Sequence, residues 1–291
     1  MILTLFQQLA NGLALGSVYA LVAVGFTMVY GILFFINLPH GDVLMVGTYV
    51  ALVLLSAGIP FLPTVAAAAI FTALLGVFIE LSVYRRLRFA RRLAPLLSAM
   101  GVSYVLSNGI MVLQGPQTRP FPAPLSGDIS IVGVNVPIVI LVTVATTVIL
   151  AVVLQLFIKR AALGIAIRAA SQDLPTTALM GVNVNLVISV TFAISGALAL
   201  IGGVMLAWRY GSVSPTIGFA VMLKAFAACV LGGIGNIQGA MLGGFILGVA
   251  EVIGAAYISS AYTDAIAFLV LIATLLFKPS GLLGGRTEVA A

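Results

Sequence analysis

The chain has 291 residues, of which 62% are hydrophobic and 7% are charged. This composition excludes an ordinary soluble domain, whose surface is rich in charged residues, and indicates a chain that is solvated by lipid. The net charge of +6 does not indicate nucleic-acid binding, because the main arginine cluster, RRLRFARR at 85–92, lies between two apolar segments and is typical of a membrane-topology signal.

Apolar segments long enough to cross a bilayer, which takes about 20 residues, recur along the chain. The first segment lacks the positively charged start of a secretory signal and stays hydrophobic to Tyr30, so we expect it to be retained as a span. Basic residues within 85–92, 159–168 and 278–286 indicate three cytoplasmic loops. The predicted spans are 5–30, 42–58, 61–84, 93–113, 137–158, 186–208, 217–234, 237–258 and 262–277.

The predicted fold is all-α, a polytopic transmembrane helical bundle in which residues 1–291 form a single transmembrane domain. Nine crossings place the N-terminus outside and the C-terminus in the cytoplasm, and eight crossings are also compatible with the pattern. The segments that begin at Asn37 and Phe219 are the least regular, so we expect one or two broken or re-entrant helices.

A polar cluster interrupts the apolar run between the first two spans. Asn37, Pro39, His40, Gly41 and Asp42 follow one another within six residues. Pro39 removes a backbone donor and Gly41 loosens a helix, so the chain is predicted to break here. Two interpretations remain open: a break that lines a transport pathway, and a tight turn at the inner surface.

Two loops are long enough to have functions of their own. The external loop 114–137 is rich in proline and then alternates apolar with small or polar residues, which predicts a turn followed by a short strand or hairpin. It is either a connector or a docking surface for an external soluble partner.

In the cytoplasmic loop 159–185, Asp173 is predicted to cap a short helix that has Pro175 in its first turn and ends at Gly181. A helix this short is not stable alone, so it either packs on the bundle or inserts into a cytoplasmic protein.

The glycine-rich stretch LGGIGNIQGA at 231–240 contains no GxxxxGK[ST] motif, so it does not predict a nucleotide-binding loop. On a helix its glycines recur every fourth residue, and a second row of small residues runs parallel to them. Such small-xxx-small rows allow membrane helices to approach closely. The predicted packing residues are Gly235, Gly239 and Gly243 in one row, and Ala240, Gly244 and Gly248 in the other.

Lys224 and Glu251 are charges within predicted spans, where charges are costly. Lys224 lies seven residues inside the boundary at Ile217, and Glu251 lies seven residues inside Ile258, so both are predicted to lie about 10 Å deep. Two interpretations remain open. The two side chains form a pair, or Lys224 extends to the headgroups while Glu251 is protonated or bonded to a hydroxyl.

Three separated motifs carry a resemblance to a known family. They are NGLALGSVYALVAVGFTMVYGILFFINLPHGD, GIAIRAASQDLPTTALMGVN and LKAFAACVLGGIGNIQGAMLGGFILGVAE, in this order. The chain resembles, over essentially its full length, the LivH-like permeases of branched-chain amino-acid ABC importers. Within LPHGD, Pro39 and Asp42 depart from the alanine and glutamate that are more frequent in that family.

The resemblance implies a permease of the bacterial inner membrane that forms half of a translocation pathway with a second, related permease. It further implies two partner ATPases that hold ATP-Mg, an extracytoplasmic binding protein, and no cofactor or catalytic site on this chain. The implied ATPase-coupling residues are Arg168, Ala169, Ala170, Asp173, Pro175, Ala178 and Gly181.

Two other classes of function are considered. An ion-coupled secondary transporter of a small polar solute is the alternative, because intramembrane charges can carry a coupling ion. A membrane-embedded enzyme is disfavoured, since one histidine, one cysteine and seven acidic residues offer little catalytic machinery. The substrate stays open between branched-chain amino acids and urea, short amides or other amino acids.

Overall fold

Long helices dominate the computed structural model, which describes residues 2–88, 90–91, 93–122, 127–131 and 134–284. Arg92 and Arg286, used above for orientation, and residues 123–126 and 132–133 of the external loop lie outside the described residues. The helices before the loop are α1 (Ile2–Leu33), α2 (Pro39–Ser56), α3 (Phe61–Ile79), a π-helical turn (Glu80–Tyr84), α4 (Arg85–Leu87) and α5 (Leu93–Gln114). Those after it are α6 (Ile138–Arg160), α7 (Ala162–Gln172), α8 (Leu174–Leu179), α9 (Val184–Tyr210), α10 (Ile217–Gly232), α11 (Ile237–Tyr257) and α12 (Thr263–Phe277).

All nine predicted spans coincide with helices, which confirms the polytopic helical bundle. Within the described residues, eight helical segments are long and apolar enough to cross a membrane. The ninth, α10, has 16 residues and is about 24 Å long, which is less than the roughly 30 Å of the hydrocarbon core. Phe219 lies in this short helix, which agrees with the irregular segment predicted there and with the count of eight crossings.

The external loop contains the predicted hairpin. Strands β2 (Asp128–Ile131) and β3 (Val134–Pro137) pair antiparallel, with Asp128 opposite Pro137. A second pair joins β1 (Arg119–Pro120) to β4 (Ser212–Val213), which directly follows α9. The loop is therefore fixed to the C-terminal end of α9, at the opposite end of that helix from α8.

The chain breaks between α1 and α2, as predicted. Phe34 has a positive φ of 54°, and α2 begins at Pro39. The interpretation of Gly41 was wrong, because it lies within the first turn of α2, where an added Cβ would meet the Gly218 carbonyl oxygen of α10. His40 bonds to Val22 and Ser195, which lie well inside α1 and α9. Hence α2 starts inside the bundle, although Phe34, directly after the end of α1, is exposed.

The glycines of α11 pack this helix against two neighbours. On one side, a Cβ added at Gly239 or Gly243 would meet carbonyl oxygens of α10, those of Gly232 and Ala228. On the other side, α1 approaches Gly244 through Ala20 and Gly248 through Gly16. One predicted row therefore packs against α10, and the other packs against α1.

Gly235 is a correction to the predicted row. It precedes the first residue of α11, has a φ of +87°, and would meet no atom within 4 Å with an added Cβ. Its backbone N–H donates to the Thr27 hydroxyl at 2.9 Å. Gly235 thus forms the turn between α10 and α11 rather than the helix seam, because its conformation is one that other residues rarely adopt.

We expect Gly243→Leu and Gly248→Leu to destabilise the protein by at least about 1–3 kcal/mol, the usual cost of overpacking. Each leucine would separate two backbones that are in direct contact. The matched control is Ala256→Leu, an exposed position of the same helix. The measurement is the temperature at which half of the purified protein loses monodispersity in detergent. Equal effects at the three positions would show that the seam is not a packing interface.

Candidate functional site

His40 lies at the start of α2 and is 2% exposed. One ring nitrogen, Nε2, lies 3.1 Å from the Val22 carbonyl oxygen, and Nδ1 lies 3.1 Å from the Ser195 hydroxyl. The adjacent cavity has a volume of about 10 Å³, which is room for about one water molecule. It is lined by Asn37, His40, Val43, Gly76, Ile79, Phe192, Ser195 and Gly196. In this conformation His40 is a satisfied packing residue, and no substrate fits beside it.

Asp42 joins α2 to α5. Its carboxylate accepts hydrogen bonds from the Ser103 hydroxyl and, at 2.6 Å, from the Ser107 hydroxyl. Asp42 is 3% exposed, and no Lys or Arg side chain within the described residues forms an ion pair with it. The two serines, one helical turn apart on α5, are therefore its only direct partners in that part of the chain.

The predicted short helix is present as α8. The Asp173 side chain accepts a hydrogen bond from the Thr176 N–H at 3.4 Å, Pro175 lies in the first turn, and Gly181 has a φ of +80°. Both helix-end predictions are confirmed. On α7, Arg168 and Ala169 are exposed whereas Ala170 is buried, and on α8 Ala178 is exposed.

The C-terminal end of α8 carries exposed apolar side chains. Leu179 is 87% exposed and Met180 is 79% exposed, although neither lies in a long apolar helix. Apolar side chains exposed together are typical of protein contacts. Beside α7, a recess of about 820 Å³ is lined by Tyr30, Gly31, Phe34, Ser171, Gln172, Ile234, Gly235, Asn236, Pro279, Ser280 and Gly284. This end of the bundle therefore offers both a projecting helix and a recess.

An ion-pair network that the sequence did not predict lies at the same end. Glu80 is fully buried and accepts hydrogen bonds from Arg85 at 2.9 and 3.0 Å and from the Ser189 hydroxyl at 2.8 Å. Arg88 lies 3.5 Å from Glu80 and donates to Asn185 at 3.1 Å. Burial lowers the pKa of the Arg88 guanidinium, and the Glu80 carboxylate opposes this shift. The network joins the π-helical turn to the first turns of α9, directly after α8.

Tyr84 extends this network to the break between α1 and α2. It ends the π-helical turn and donates a hydrogen bond from its hydroxyl to Asn37 Oδ1 at 3.0 Å. Its ring stacks on Phe35 at 4.7 Å and contacts Phe192 at 5.4 Å, measured between ring centroids. A continuous set of polar and aromatic contacts therefore leads from the start of α9 to the break before α2.

Lys224 and Glu251 form the ion pair that the sequence left open. Lys224 Nζ lies 2.7 Å from Glu251 Oε1 and 2.9 Å from Asp264 Oδ1. The Tyr19 hydroxyl also donates to Glu251 Oε1, at 3.1 Å. Glu251 Oε2 is buried without a hydrogen-bond partner among the described residues. The pair ties α10 and α11 to α1 and α12. Asp264 was not identified from the sequence as a partner of Lys224, because it lies in the first turn of α12, where a charged residue is common.

In the described part of the chain, eight apolar helices long enough to span a bilayer, packed around a chain break inside the bundle, define a polytopic membrane protein. Within the described residues, no three His, Cys, Asp or Glu side chains are grouped so that they can hold a metal ion. Residues 8–275 match the family model described as branched-chain amino acid transport system / permease component. The chain belongs to this family, and it is a multi-pass inner-membrane permease component.

Two curated relatives illustrate the match. The chain is 44% identical to the high-affinity branched-chain amino acid transport system permease protein BraD of Pseudomonas aeruginosa, covering 97% of this chain and 96% of BraD. It is 41% identical to the corresponding protein LivH of Escherichia coli, with the same coverage. Among solved structures, PsaBC from Streptococcus pneumoniae in complex with Fab matches with a TM-score of 0.54, covering 96% of this chain and 97% of that one. At 12% identity, this last likeness shows the fold alone.

We expect Lys224→Met to destabilise the protein by about 3–5 kcal/mol, because it leaves the Glu251 carboxylate buried without a cation. Glu251→Gln should cost less, since Lys224 keeps Asp264, and the double change should cost less than the sum of the two. Thermal unfolding of the four purified proteins in detergent measures this cycle. Additive losses would contradict the pairing. The control is Asp264→Asn, at a carboxylate whose side chain is 74% exposed, with an expected effect within about 1 kcal/mol.

We expect Glu80→Gln to cost about 3–5 kcal/mol in the same assay, because it leaves two arginines without their buried anion. Asp128→Asn, an exposed acid in the β2–β3 hairpin, is the control, and its effect should stay within about 0.5 kcal/mol. A loss at Glu80 as small as that at Asp128 would mean that the arginines are held by other groups.

Proposed function

We propose that this chain is one of two transmembrane permease subunits of an ABC importer that takes up branched-chain amino acids. The main support is the family match over residues 8–275, together with relatives at 41–44% identity whose names specify high-affinity branched-chain amino acid transport. In this proposal residues 1–291 act as a single permease domain, and a second, related permease supplies the other half of the pathway.

ATP hydrolysis is assigned to partner subunits. The sequence contains no GxxxxGK[ST] motif, which supports the assignment of ATP-Mg to two ATP-binding cassette subunits. In this proposal the chain itself has neither a cofactor nor a catalytic residue. An extracytoplasmic binding protein delivers the amino acid. The two permeases then alternate between an outward and an inward opening.

The proposed membrane orientation is supported by the basic side chains at one end of the bundle. Arg85 and Arg88 contact the first turns of α9, directly after α8. Because basic residues accumulate on the cytoplasmic side, this end faces the cytoplasm, together with the C-terminus. The N-terminus and the β2–β3 hairpin then face outside, where the hairpin can meet the binding protein.

The helix α8 is assigned as the contact with the ATPase. Leu179 and Met180 are its exposed apolar residues, and Asp173 and Gly181 fix its ends. A helix that bound the ATPase equally well in the outward-open and inward-open states would not change the equilibrium between them. The contact between α8 and the ATPase must therefore change with the nucleotide state. Its motion acts directly on the start of α9, which carries Ser189 in contact with Glu80 and Arg85.

Reconstitution tests the proposed function. Proteoliposomes that contain both permeases, two ATPases and ATP should take up labelled leucine only when the binding protein is added outside. Omission of any component should abolish uptake. Uptake by this chain alone, driven by an ion gradient, would instead identify a secondary transporter. Competition with valine, isoleucine, urea and acetamide determines the substrate class.

We expect Leu179→Cys to cross-link to an ATPase subunit in membranes, whereas Ser260→Cys, exposed beyond the end of α11, should not. The single native cysteine, Cys229, is buried and should contribute little background. Asp173→Lys and Gly181→Val should lower transport and ATPase stimulation at least about fivefold, with the amount of inserted protein unchanged. Labelling of Leu179→Cys from outside intact cells would overturn both the orientation and the coupling assignment.

A further inference from the structure

A cleft between α2 and α5 opens at the end of the bundle opposite α8. It consists of two adjoining cavities of about 200 and 250 Å³, which share Val53 and Gln114. Together their volumes fall within the roughly 300–1,000 Å³ of small-molecule pockets. The cleft is separate from the cavity of about 10 Å³ beside His40, which admits only water.

Arg119 places a cation at this cleft. Its Nε donates to the Gln114 carbonyl oxygen at 2.9 Å, and its backbone lies in the β1–β4 pair opposite Val213. Both contacts hold the side chain beside the cavity it lines, while Nη1 makes no hydrogen bond to any described residue. Because Nε and Nη2 both donate to the Gln114 carbonyl oxygen, the donors left for a carboxylate are those of Nη1 and the second hydrogen of Nη2.

Tyr49 lines the same cleft, with its hydroxyl buried in the cleft wall. The residue is 1% exposed, and its hydroxyl is buried without a hydrogen-bond partner in the part of the chain that the structure describes. A buried hydroxyl without a partner is costly, so it is expected to gain one in another state or with a ligand. The Gln114 side chain lines both cavities and adds an amide nearby.

The remaining walls of the cleft are mainly apolar, and the residues that line its two cavities include no Asp or Glu. The walls are formed by Val50, Leu52, Val53, Leu54, Ser56, Ile110, Leu113 and Pro120. Such a lining accepts a branched hydrocarbon side chain and leaves an ammonium group to hydroxyl, amide or water oxygens. The chemistry therefore fits a small amino acid whose carboxylate meets a guanidinium and whose side chain is apolar.

We propose that this cleft is an entry subsite on the permease, which holds a branched-chain amino acid with its carboxylate on Arg119 and its side chain between α2 and α5. The inference rests on the proposed function and adds a place for the substrate on this chain. Tyr49 and Gln114 fix the orientation of the ligand, and Val53 sets the space available to the side chain.

The same helix pair carries polar groups further into the bundle. On α2, Tyr49 follows Asp42 by seven residues, and on α5, Gln114 follows Ser107 by seven residues. Two helical turns separate positions on one helix face by about 10 Å. The Asp42 carboxylate, bound by Ser103 and Ser107, thus lies below Arg119 along one seam. Arg119 at the mouth of the cleft can bind the carboxylate of an amino acid, and Asp42, at greater depth, can bind its ammonium group as the molecule moves inward.

Photolabelling of the complete complex tests the subsite directly. The probe is a leucine analogue with a diazirine in its side chain, delivered by the binding protein in proteoliposomes. Label should enter peptides that contain residues 49–54 or 110–114 and should be displaced by excess leucine. Arg119→Gln should lower this labelling about tenfold, the loss expected for one charge-assisted hydrogen bond, and Arg119→Lys should restore part of it. Label confined to other segments would overturn the proposal.

Uptake kinetics provide a second test with a matched control. Tyr49→Phe removes only the hydroxyl and should raise the KM for leucine. Val53→Phe should fill the cleft and lower leucine uptake about tenfold. Val153→Phe, at an exposed position of α6, makes the same change away from the cleft and should leave uptake unaltered. Unchanged kinetics in the Tyr49 and Val53 variants, with a wild-type complex that transports, would reject the subsite but not the proposed function.

Arg119 can also be tested as a contact for the binding protein. If Arg119→Gln raises the binding-protein concentration needed for half-maximal uptake and leaves photolabelling of the cleft unchanged, the residue belongs to a docking surface and the subsite is wrong. If the wild-type complex shows no binding-protein-dependent uptake, the proposed function itself fails.

Discussion

Direct backbone contact between α1 and α11 determines where the other elements lie. In lipid, apolar side chains gain little by leaving their surroundings, so helices associate through close packing and interhelical hydrogen bonds. Gly16 and Gly248 permit this approach, and Gly243 brings α10 to the opposite face of α11. When these three helices are packed together, the Glu251 carboxylate lies within hydrogen-bond distance of the Tyr19 hydroxyl and the Lys224 ammonium group. The glycines thus fix the relative positions of Lys224 and Glu251.

The buried acids of the bundle are satisfied in different ways. Glu80 and Glu251 each have a cation within 3 Å, whereas Asp42 has two serine hydroxyls. A pair with a cation needs exact placement of two charged groups from different helices, so Glu80 and Glu251 act as fixed junctions. The bonds from Ser103 and Ser107 involve neutral donors and are more easily exchanged for water. At Asp42 the α2–α5 seam is therefore held by neutral hydrogen bonds and not by an ion pair.

Local sequence patterns predicted the helices, the hairpin, the Asp173 cap and the turn at Gly181, because each depends on neighbouring residues. Long-range contacts were harder to predict. Arg85 carries a topology signal in its sequence, yet with Glu80 it also bonds the Ser189 hydroxyl, which lies more than a hundred residues away along the chain. The position of Gly235 was wrong because periodicity does not reveal where a helix begins.

Tyr49 and Arg119 had no sequence signal at all. A tyrosine in an apolar helix and an arginine in a polar loop are each ordinary, and only the approach of α2 to α5 and the β1–β4 pair brings them to one cleft. The same limit applies to Asp264, which joins Lys224 only through the packing of α12. Sites that are assembled from distant segments need the fold before they can be recognised.

The π-helical turn at Glu80–Tyr84 has a consequence for how this helix tolerates changes in length. A π-turn accommodates one extra residue, so Glu80 and Arg85, five positions apart, lie on one side of the chain. In a regular α-helix that side would be shared by residues three or four apart. Loss of one residue within the turn would therefore shorten the helix by about 1.5 Å. It would preserve the rotation about the helix axis between α3 and the arginines that follow the turn. The turn therefore gives this helix one position at which a single residue can be lost without rotating the arginines away from the side of the helix that they now occupy.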